Sequence, residues 1–479
     1  KGNNGMTELP QRFKERMREL LGNEYEAFEA SYEQEKVQGL RFNSLKTKEG
    51  REPDWEEAGV KTLAAETAKL LNMELTPVPW VKEGYYYPLD ARPGKHPFHE
   101  AGLYYIQEPS AMSVVEFLNP KPGENVLDLC AAPGGKSSHI ASRLKGEGFL
   151  LSNEIHPGRA KILSQNMERM GVGNCVVTNE DAASLAKVFP QFFDRIAVDA
   201  PCSGEGMFRK DPDARGEWSE GNVKQCAARQ DEILREAWRA LRPGGTLVYS
   251  TCTFNRDEDE GALERMAAWA GDEIAESEET AVEDAWGIVC GRVGAFRTFR
   301  FYPHRTCGEG FFAAVARKSF DAGGRVRAPK ARRTVFAAVD RKTAGELARW
   351  VRNPGGMHFA AVADTCYAWY AAQADAVRTL SEALPVIYSG VALGQVFKGV
   401  LKPDPALAFF DGMNRGALPA AELDDEETLR FLRRQDIAAG GLAEGMNLVC
   451  SRGRALGFAK RIGARVNNLY PSSLRIIKQ

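Results

Sequence analysis

The chain of 479 residues is predicted to carry a doubly wound α/β fold at its centre, with smaller α+β regions before and after it. Two observations predict the central fold. From about residue 119 onward, short apolar runs alternate with longer segments of helical periodicity, as in a parallel sheet covered by helices on both faces. A glycine-rich loop also follows the first apolar run, where such folds bind ligands. The length predicts several domains, because one hydrophobic core stops growing beyond about 250–300 residues.

The elements of the central region follow one another in a regular order. Strands are predicted over 125–130, 148–154, 175–178, 195–199 and 246–250. Helices are predicted between them, the longest over 222–241, and Pro243-Gly244-Gly245 is a stop signal after it. Residues 296–301 and 311–315 are expected to complete the sheet as a hairpin.

The flanking segments predict separate domains. Counted from Met6, where we expect the natural chain to begin, residues 6–105 form an N-terminal α+β domain with a helix over 10–32. The central domain then covers 106–318. The last three segments are a Gly- and Arg-rich linker over 319–334, an α+β domain over 335–435, and a basic tail over 436–479.

The net charge of −2 conceals an asymmetry between the two ends. Residues 321–479 hold 23 Lys+Arg and 15 Asp+Glu, a net charge of +8, which leaves −10 for the first 320 residues. A basic C-terminal part suggests a polyanionic partner, since Lys and Arg facing phosphates supply most non-specific affinity. A merely solvated surface would also fit this charge, so the charge is only supporting.

Composition narrows the class of protein further. An apolar fraction of 43% and a charged fraction of 27% are ordinary for a soluble globular protein. No run of 18 apolar residues is present, so we expect no membrane segment. Nine cysteines without framework spacing indicate reduced thiols in a cytoplasm. Since no CxxC pair or His/Cys cluster has ligand spacing, no metal site is predicted.

The glycine-rich loop predicts a cofactor site. It consists of Cys130, Ala131, Ala132, Pro133, Gly134, Gly135 and Lys136. It matches neither GxGxxG nor GxxxxGK[ST], so a dinucleotide or a triphosphate is not the first interpretation. S-adenosylmethionine has a carboxylate and no phosphate, and it needs only such a tight turn at a helix N-terminus. Glu154, at the end of the second strand, is placed to hold ribose hydroxyls, and Asp181, after the third, to meet an adenine edge.

Two cysteines follow neighbouring predicted strands. Asp199-Ala200-Pro201-Cys202 closes the fourth strand, and Ser250-Thr251-Cys252 closes the fifth. Both thiols should therefore face the ligand crevice, whereas a single cysteine is more often a buried packing residue. The packing interpretation is kept for Cys175, Cys226, Cys290, Cys307, Cys366 and Cys450.

Paired thiols beside a methyl-donor loop suggest methylation of cytosine at carbon 5. A thiolate that adds at carbon 6 makes carbon 5 nucleophilic, and Asp199 is placed to hydrogen-bond or protonate ring nitrogen 3. A free thiol, with a pKa of about 8.5, is only slightly ionised at neutral pH, so a positive neighbour is expected. Lys136, Lys210 and Arg209 are the candidates.

At this point the motifs resemble a known family, the Sun-type RNA 5-methylcytosine methyltransferases. The resemblance lies in DLCAAPGGKSSHIA (128–141), NEIHPGRAKIL (153–163), VDAPCSGEGMFRK (198–210) and YSTCTFNRDEDE (249–260). Two further segments are similar to the bacterial RsmF branch of this family: YIQEPSAM (105–112) and FYPHRTCGEGFFAAV (301–315). Residues 335–435 match only loosely.

The resemblance implies a class I, Rossmann-like, S-adenosylmethionine-dependent methyltransferase. It implies an RNA-binding N-terminal extension and C-terminal α+β domains that end in a PUA-like module over 436–479. By this resemblance Cys252 is the nucleophile, Cys202 acts in product release and Asp199 positions the base. The implied cofactor residues are Cys130 to Lys136, Glu154, Asp181 and Asp199. The implied substrate is a cytosine of 16S rRNA in the small ribosomal subunit, and we expect a monomer that uses neither DNA nor a membrane.

Four other classes of protein share some of these features. A DNA cytosine methyltransferase uses the cysteine of its PC motif and a later ENV tripeptide, but here Glu124-Asn125-Val126 precedes the loop and no ENV follows Pro201-Cys202. A tRNA 5-methylcytosine methyltransferase remains open. A ribosome-assembly factor that only binds RNA is disfavoured because Cys252 and the loop are intact. An NAD-dependent dehydrogenase is disfavoured because GxGxxG is missing.

Overall fold

The computed structural model of the chain describes residues 8–47, 55–323 and 335–476. Most of the predicted linker, 324–334, lies outside the described residues. The α-helices are α1 (Gln11–Leu21), α2 (Tyr25–Ala30), α3 (Trp55–Leu71), α4 (Pro97–Glu100), α5 (Pro109–Leu118), α6 (Gly135–Leu144), α7 (Pro157–Arg169), α8 (Ala182–Val188), α9 (Ala214–Glu217), α10 (Glu220–Ala240), α11 (Glu260–Ala270), α12 (Arg341–Ala348), α13 (Ala374–Ala383), α14 (Pro405–Phe409) and α15 (Asp425–Leu432). Within these ranges no helix combines the length and apolarity that crossing a membrane requires.

The strands fall into four sheets. In chain order they are β1 (Gly39–Phe42), β2 (Thr76–Pro77), β3 (Gly84–Tyr86), β4 (Tyr104–Ile106), β5 (Asn125–Asp128), β6 (Phe149–Asn153), β7 (Cys175–Thr178), β8 (Phe193–Asp199), β9 (Leu241–Thr251), β10 (Ile274–Ala275), β11 (Val289–Val293), β12 (Phe296–Phe301), β13 (Phe311–Lys318), β14 (Ala337–Ala338), β15 (Met357–Val362), β16 (Thr365–Tyr370), β17 (Tyr388–Ser389), β18 (Val391–Phe397), β19 (Val400–Pro403), β20 (Ala420–Glu422), β21 (Gly445–Ser451), β22 (Arg454–Ile462) and β23 (Arg465–Asn468).

The central sheet has the order β11-β12-β13-β9-β8-β5-β6-β7-β17. Strands β5 to β9 pair in parallel, and β13 lies antiparallel between β9 and β12. The chain builds outward from β5 to β7 and then returns to place β8 on the other side of β5. A ligand crevice opens at such a switch point, beyond the carboxyl ends of the strands. The predicted doubly wound sheet and its closing hairpin are confirmed.

Helices cover both faces of this sheet. Because successive strand residues point to opposite faces, Val126 and Leu150 pack toward α5, α6 and α7, whereas Leu127 and Leu151 pack toward α8, α10 and α11. All four side chains are at most 1% exposed. Because both faces of these strands are buried, their sequences are continuous apolar runs.

The N-terminal region differs from the single helix expected over 10–32. The helix α1 ends at Gly22, whose φ of +54° favours glycine, and the chain resumes as α2. The helix α3, which the sequence did not predict, and the small antiparallel sheet β2-β3-β1-β4 complete the region.

The C-terminal part contacts the rest of the molecule through a strand pairing, through the packing of α13 on the central domain and through a shared apolar core. Strand β17 pairs with β7 and so extends the central sheet. The last sheet shares an apolar core with the N-terminal region, in which Tyr470 packs near Phe431 and donates a hydrogen bond to Glu100 over 3.2 Å. This last sheet begins at Ala420, because β20 pairs in parallel with β21, whereas the sequence placed the start of the module at 436.

Candidate active site

The two cysteines lie side by side beyond adjacent strand ends. Strands β8 and β9 are parallel neighbours, with Asp199 opposite Ser250, so the loops that follow leave the sheet together. The sulfur atoms of Cys202 and Cys252 are 3.2 Å apart, and both residues are half-buried. The structure therefore brings together the two thiols that the sequence singled out from nine.

The environment of Cys202 favours its neutral thiol. The hydrogen bond with Cys252, burial, and the negative charge of Glu258 together raise the pKa of Cys202 well above its usual value. A neutral Cys202 can donate its S–H to Cys252 when Cys252 is a thiolate.

Two buried glutamates hold the cysteine loops together. Glu205, 1% exposed, accepts hydrogen bonds from the Thr253 hydroxyl over 2.7 Å and from the Phe254 amide over 3.0 Å. The amide of Gly206 donates to the carbonyl of Cys252 over 2.9 Å. Glu258 binds the amide of Ser203 from the other side. Sequence reasoning missed both roles, although both residues lie inside the quoted motifs.

Lys136 is the cation that reaches the site. Its ammonium group donates to Asp199 over 2.7 Å, and the Ser250 hydroxyl donates to the other carboxylate oxygen of Asp199 over 2.7 Å. Burial would lower the pKa of Lys136, but Asp199 and the other negative groups outweigh it, so the pKa is raised. Lys136 therefore stays charged.

The other two candidate cations do not serve the thiols. Arg209 is buried and pairs with Glu309 over 2.9 Å, which ties the Cys202 loop to the loop before β13. Lys210 is exposed, and its carbonyl accepts a hydrogen bond from Lys36. The expectation that Arg209 or Lys210 is the positive neighbour of the two cysteines is therefore corrected, and Lys136, which binds Asp199, is the candidate that lies in the site.

A cleft of about 180 Å³ lies between the glycine-rich loop and the N-terminal region. Its walls are formed by Tyr105, Ile106, Gln107, Glu108, Ala111, Cys130, Ala131, Ala132, Pro133, Gly135, Lys136 and Asp199. A Cβ atom on Gly135 would come within 3.2 Å of both Gln107 and Tyr105, and Gly134 has a φ of +116°. Only glycine fits both positions comfortably. The wall from β4 was not predicted as part of the site.

The acidic residues after β6 and β7 have separate surroundings. Glu154, 3% exposed, accepts a hydrogen bond from the His156 amide over 2.9 Å, and Arg159 lies 3.4 Å away. Asp181 caps α8, because both its oxygens accept hydrogen bonds from Ser184. Neither Glu154 nor Asp181 is among the described residues that line the cleft.

The ENV tripeptide lies at the far edge of the sheet from the thiols. It opens β5, where Glu124 pairs with Arg195 at 3.1 Å and the Asn125 amide donates to Asp194 over 2.7 Å. These contacts are structural and do not approach the cleft.

One cluster of metal-ligand type occurs among the described residues. Glu83, Glu116 and His139 place one ligand atom each within 4.8 Å of one another. Arg143 pairs with both carboxylates, and burial together with Arg41 and Arg143 lowers the pKa of His139 well below its usual value. The Arg143 guanidinium thus already supplies the positive charge in this cluster.

The molecule has the features of a class I methyltransferase: the order of its strands, the glycine-rich loop after β5 and the two thiols at strand ends. The comparisons agree with this class along most of the chain. The model of 16S rRNA methyltransferase RsmB/F matches residues 115–317, that of the N-terminal domain of 16S rRNA methyltransferase RsmF matches 9–109, and that of the methyltransferase RsmF PUA domain matches 419–476.

Curated relatives cover nearly the whole length. Ribosomal RNA small subunit methyltransferase F from Escherichia coli O127:H6 is 32% identical over 97% of this chain and 96% of its own. The protein of the same name from Klebsiella pneumoniae is 34% identical over 87% of this chain and 89% of its own. The chain belongs to the RsmF family of 16S rRNA methyltransferases, and it is an S-adenosylmethionine-dependent methyltransferase. The resemblance to the RsmF branch is confirmed.

Solved structures agree with the fold. A methyltransferase homolog protein from Pyrococcus horikoshii is 28% identical, with a TM-score of 0.52, over 64% of this chain and 95% of that chain. NSun6 from Pyrococcus horikoshii, solved with SFG, an analogue of S-adenosylmethionine, has a TM-score of 0.55 at 22% identity over 65% of this chain and 99% of that chain. The second comparison supports the fold alone.

Proposed function

We propose that the protein transfers a methyl group to carbon 5 of a cytosine in 16S rRNA through a covalent adduct with Cys252. The observation that carries this proposal is the contact between Cys202 and Cys252, at 3.2 Å, beside a carboxylate held by Lys136 and Ser250. A single thiol would suit many roles. Two thiols in contact suit a reaction in which one sulfur bonds to the base and must later leave it, because the second can donate a proton to the departing sulfur.

The residues of the cleft fit S-adenosylmethionine. Because Gly134 and Gly135 have no side chains, a ligand can approach the backbone of the loop closely. The first amides of α6 have no hydrogen-bond partner within the helix, so they suit a carboxylate. We assign the loop Cys130 to Lys136 to the methionine part, Glu154 to the ribose hydroxyls and Asp181 to the adenine edge. When bound, the cofactor supplies a methyl group on a positively charged sulfur. The Asp181 carboxylate would then accept hydrogen bonds from both Ser184 and the adenine edge.

In the first half of the reaction, the Cys252 thiolate adds to carbon 6 and forms a carbon–sulfur bond. Negative charge develops at ring nitrogen 3 and the exocyclic oxygen. Asp199, fixed by Lys136 and Ser250, positions this edge of the base, and Lys136 supplies positive charge beside it. Carbon 5 gains electron density and accepts the methyl group.

In the second half, a solvent water takes the proton from carbon 5, the electrons of that carbon–hydrogen bond form the double bond to carbon 6, and the bond between carbon 6 and sulfur breaks. The electrons of that bond return to the sulfur of Cys252, which leaves as a thiolate. Cys202 donates its S–H to this departing sulfur over the short distance between them. Without that donor the thiolate is a poorer leaving group, so the adduct persists.

The C-terminal part is proposed to bind the RNA. A PUA domain matches residues 419–476, and Lys460 and Arg465 are exposed on β22 and β23. Phosphate contacts from such residues make binding weaken steeply with salt. The target cytosine must leave its helix to reach the cleft, at a cost of a few kcal/mol. We propose that the substrate is a cytosine of the small subunit and that the protein acts as a monomer.

The test compares four proteins on unmodified small subunits, naked 16S rRNA and tRNA with labelled S-adenosylmethionine. The proteins are the wild type, Cys252→Ala, Cys202→Ala and, as a matched control, the exposed thiol variant Cys290→Ala. We expect 5-methylcytosine in ribosomal RNA with the wild type and Cys290→Ala. Cys202→Ala should accumulate an enzyme–RNA adduct on denaturing gels, and Cys252→Ala should give neither product nor adduct.

Three outcomes would overturn parts of the proposal. Full activity of Cys252→Ala would remove the nucleophile. Equal trapping by both variants would remove the division of roles. Methylation of tRNA in place of ribosomal RNA would replace the substrate and leave the chemistry intact.

A further inference from the structure

Glu258 is a fully buried carboxylate between the two cysteine loops. It accepts hydrogen bonds from the Ser203 amide over 3.0 Å, from Gln230 Nε2 over 2.8 Å and from Asn255 Nδ2 over 2.7 Å. All three partners present N–H groups, which donate and do not accept. Burial raises the pKa of Glu258, and the three N–H donors oppose this rise because they bind the ionised form better than the protonated one.

These contacts fix the backbone on both sides of Cys202. Ser203 follows it directly. Gln230 Nε2 also donates to the carbonyl of Pro201, which precedes it, over 2.9 Å. Cys202 is therefore held at its two neighbouring residues by one carboxylate and one amide.

The same carboxylate also reaches the second loop. Asn255 Nδ2, bound to Glu258, also donates to the Thr253 hydroxyl over 2.8 Å, and Thr253 follows Cys252. The Ser203 and Thr253 hydroxyls are themselves 3.1 Å apart. The separation of the two sulfur atoms is thus set through Glu258 and its amide partners.

The charge of Glu258 acts in the same direction as its geometry. After the hydrogen bond with Cys252, burial, and the charge of Cys252, Glu258 is a further cause that raises the pKa of Cys202. A negative group behind the thiol opposes its ionisation, so Cys202 still carries a proton when release begins.

We propose that Glu258 is a positioning residue for product release, which aims the S–H of Cys202 at the sulfur of Cys252 so that Cys202 can donate its proton as Cys252 leaves the methylated base. In that step a solvent water takes the proton from carbon 5, the bond between carbon 6 and the Cys252 sulfur breaks, and its electrons return to Cys252. The proton of Cys202 then bonds to that thiolate, and solvent returns a proton to Cys202. This role rests on the proposed function, since it acts only on a Cys252 adduct. Glu258 itself touches neither base nor cofactor.

The decisive variant is Glu258→Gln. It keeps the size of the side chain, but it removes the charge and turns an amide NH₂ toward N–H donors. We expect release of methylated RNA to slow by about 10-fold or more, the effect of losing a hydrogen bond to a charged group. Methyl transfer in the first turnover should change by less than about 3-fold, because Cys252, Lys136 and Asp199 are untouched. The adduct should then accumulate on denaturing gels.

Two further variants separate positioning from general damage. Gln230→Met removes the contacts to Pro201 and Glu258 without changing charge, and it should trap adduct to a smaller extent. Asp194→Asn alters a carboxylate at the opposite edge of the sheet, bound to Arg242 and to the Asn125 amide, and it should trap none. Thermal unfolding of each variant shows which of them are folded.

The double variant Glu258→Gln with Cys202→Ala shows whether Glu258 works through Cys202. If it does, the double variant traps no more adduct than Cys202→Ala alone. Additive trapping, or a Glu258→Gln enzyme that loses transfer and release equally without adduct, would overturn the role. If Cys202→Ala itself traps nothing, the proposed release role of Cys202 fails and the role of Glu258 fails with it. If Cys202→Ala traps adduct and Glu258→Gln and Gln230→Met do not, only the role of Glu258 fails.

Discussion

The sulfur atoms of Cys202 and Cys252 lie 3.2 Å apart, although the two residues are 50 positions apart in the chain. They meet because β8 and β9 are parallel neighbours and each cysteine follows the end of its strand. The contact is close enough for a shared proton and, after a small movement, for a covalent bond. It therefore links the proposed chemistry to a property that can be measured without any RNA.

A thiol oxidant should join these two cysteines. A disulfide has sulfur atoms about 2.05 Å apart, so the thiols need to approach by roughly 1 Å. Treatment with diamide should give a peptide pair linked through Cys202 and Cys252, found by mass spectrometry, and should abolish methyl transfer until dithiothreitol is added. A Cys202→Ser enzyme serves as the control. Oxidation that reaches exposed Cys290 and Cys307 but leaves the pair free would contradict the geometry.

Replacing Lys136 should disable the base-positioning carboxylate. Lys136→Met leaves Asp199 half-buried with only Ser250 as its partner. We expect kcat to fall by about 100-fold, within the usual range for loss of a proton-transfer or charge-stabilising group. Asp199→Asn keeps the shape and should fall similarly. Steady-state kinetics, with cofactor affinity from calorimetry, test this; unchanged kcat with weakened cofactor binding would place Lys136 in binding alone.

Asp128, at the end of β5, should make stability depend on pH. Burial raises its pKa to about 6, above the value of 3.8 for an exposed aspartate. Between about pH 4 and 6 the folded state therefore holds more protons than the unfolded state, and stability falls as pH rises through this window. The full effect above pH 6 is on the order of 3 kcal/mol. Asp128→Asn, which can still accept from Ser137, should gain stability relative to the wild type between pH 4 and 7. Unfolding by urea at several pH values measures it, and a constant difference would refute it.

The C-terminal tail should be needed for the stability of the N-terminal region. Tyr470 is 1% exposed in the core that both regions share. Tyr470→Ala should lower the free energy of unfolding by about 3 kcal/mol, whereas Tyr470→Phe, which loses only the bond to Glu100, should cost about 1 kcal/mol. Differential scanning fluorimetry compares the two. If a chain ending at residue 418 melts at the wild-type temperature, the shared core contributes little.

Sequence patterns identified the features of this molecule that depend on residues close together in the chain. The apolar runs of β5 to β9 are visible because both faces of those strands are buried. The glycine pair is visible because Gly134 has a positive φ and Gly135 lies close to Gln107 and Tyr105. The two cysteines at strand ends could also be selected from the sequence, because the predicted strand positions show where each strand ends. The break of the first helix at Gly22 was missed, because a single glycine is also tolerated inside a helix.

Tertiary structure decided what depends on pairs of distant residues. Lys136, Lys210 and Arg209 look equivalent in sequence, and only folding shows that Lys136 meets Asp199 while Arg209 is taken by Glu309. The three hydrogen-bond donors of Glu258 likewise come from a loop, a helix and a second loop, so no spacing in the sequence predicts these contacts. The sequence by itself determined the class of methyltransferase and the two thiols. The structure decided how those thiols are held, because hydrogen-bond partners are chosen by distance in space, which local sequence does not encode.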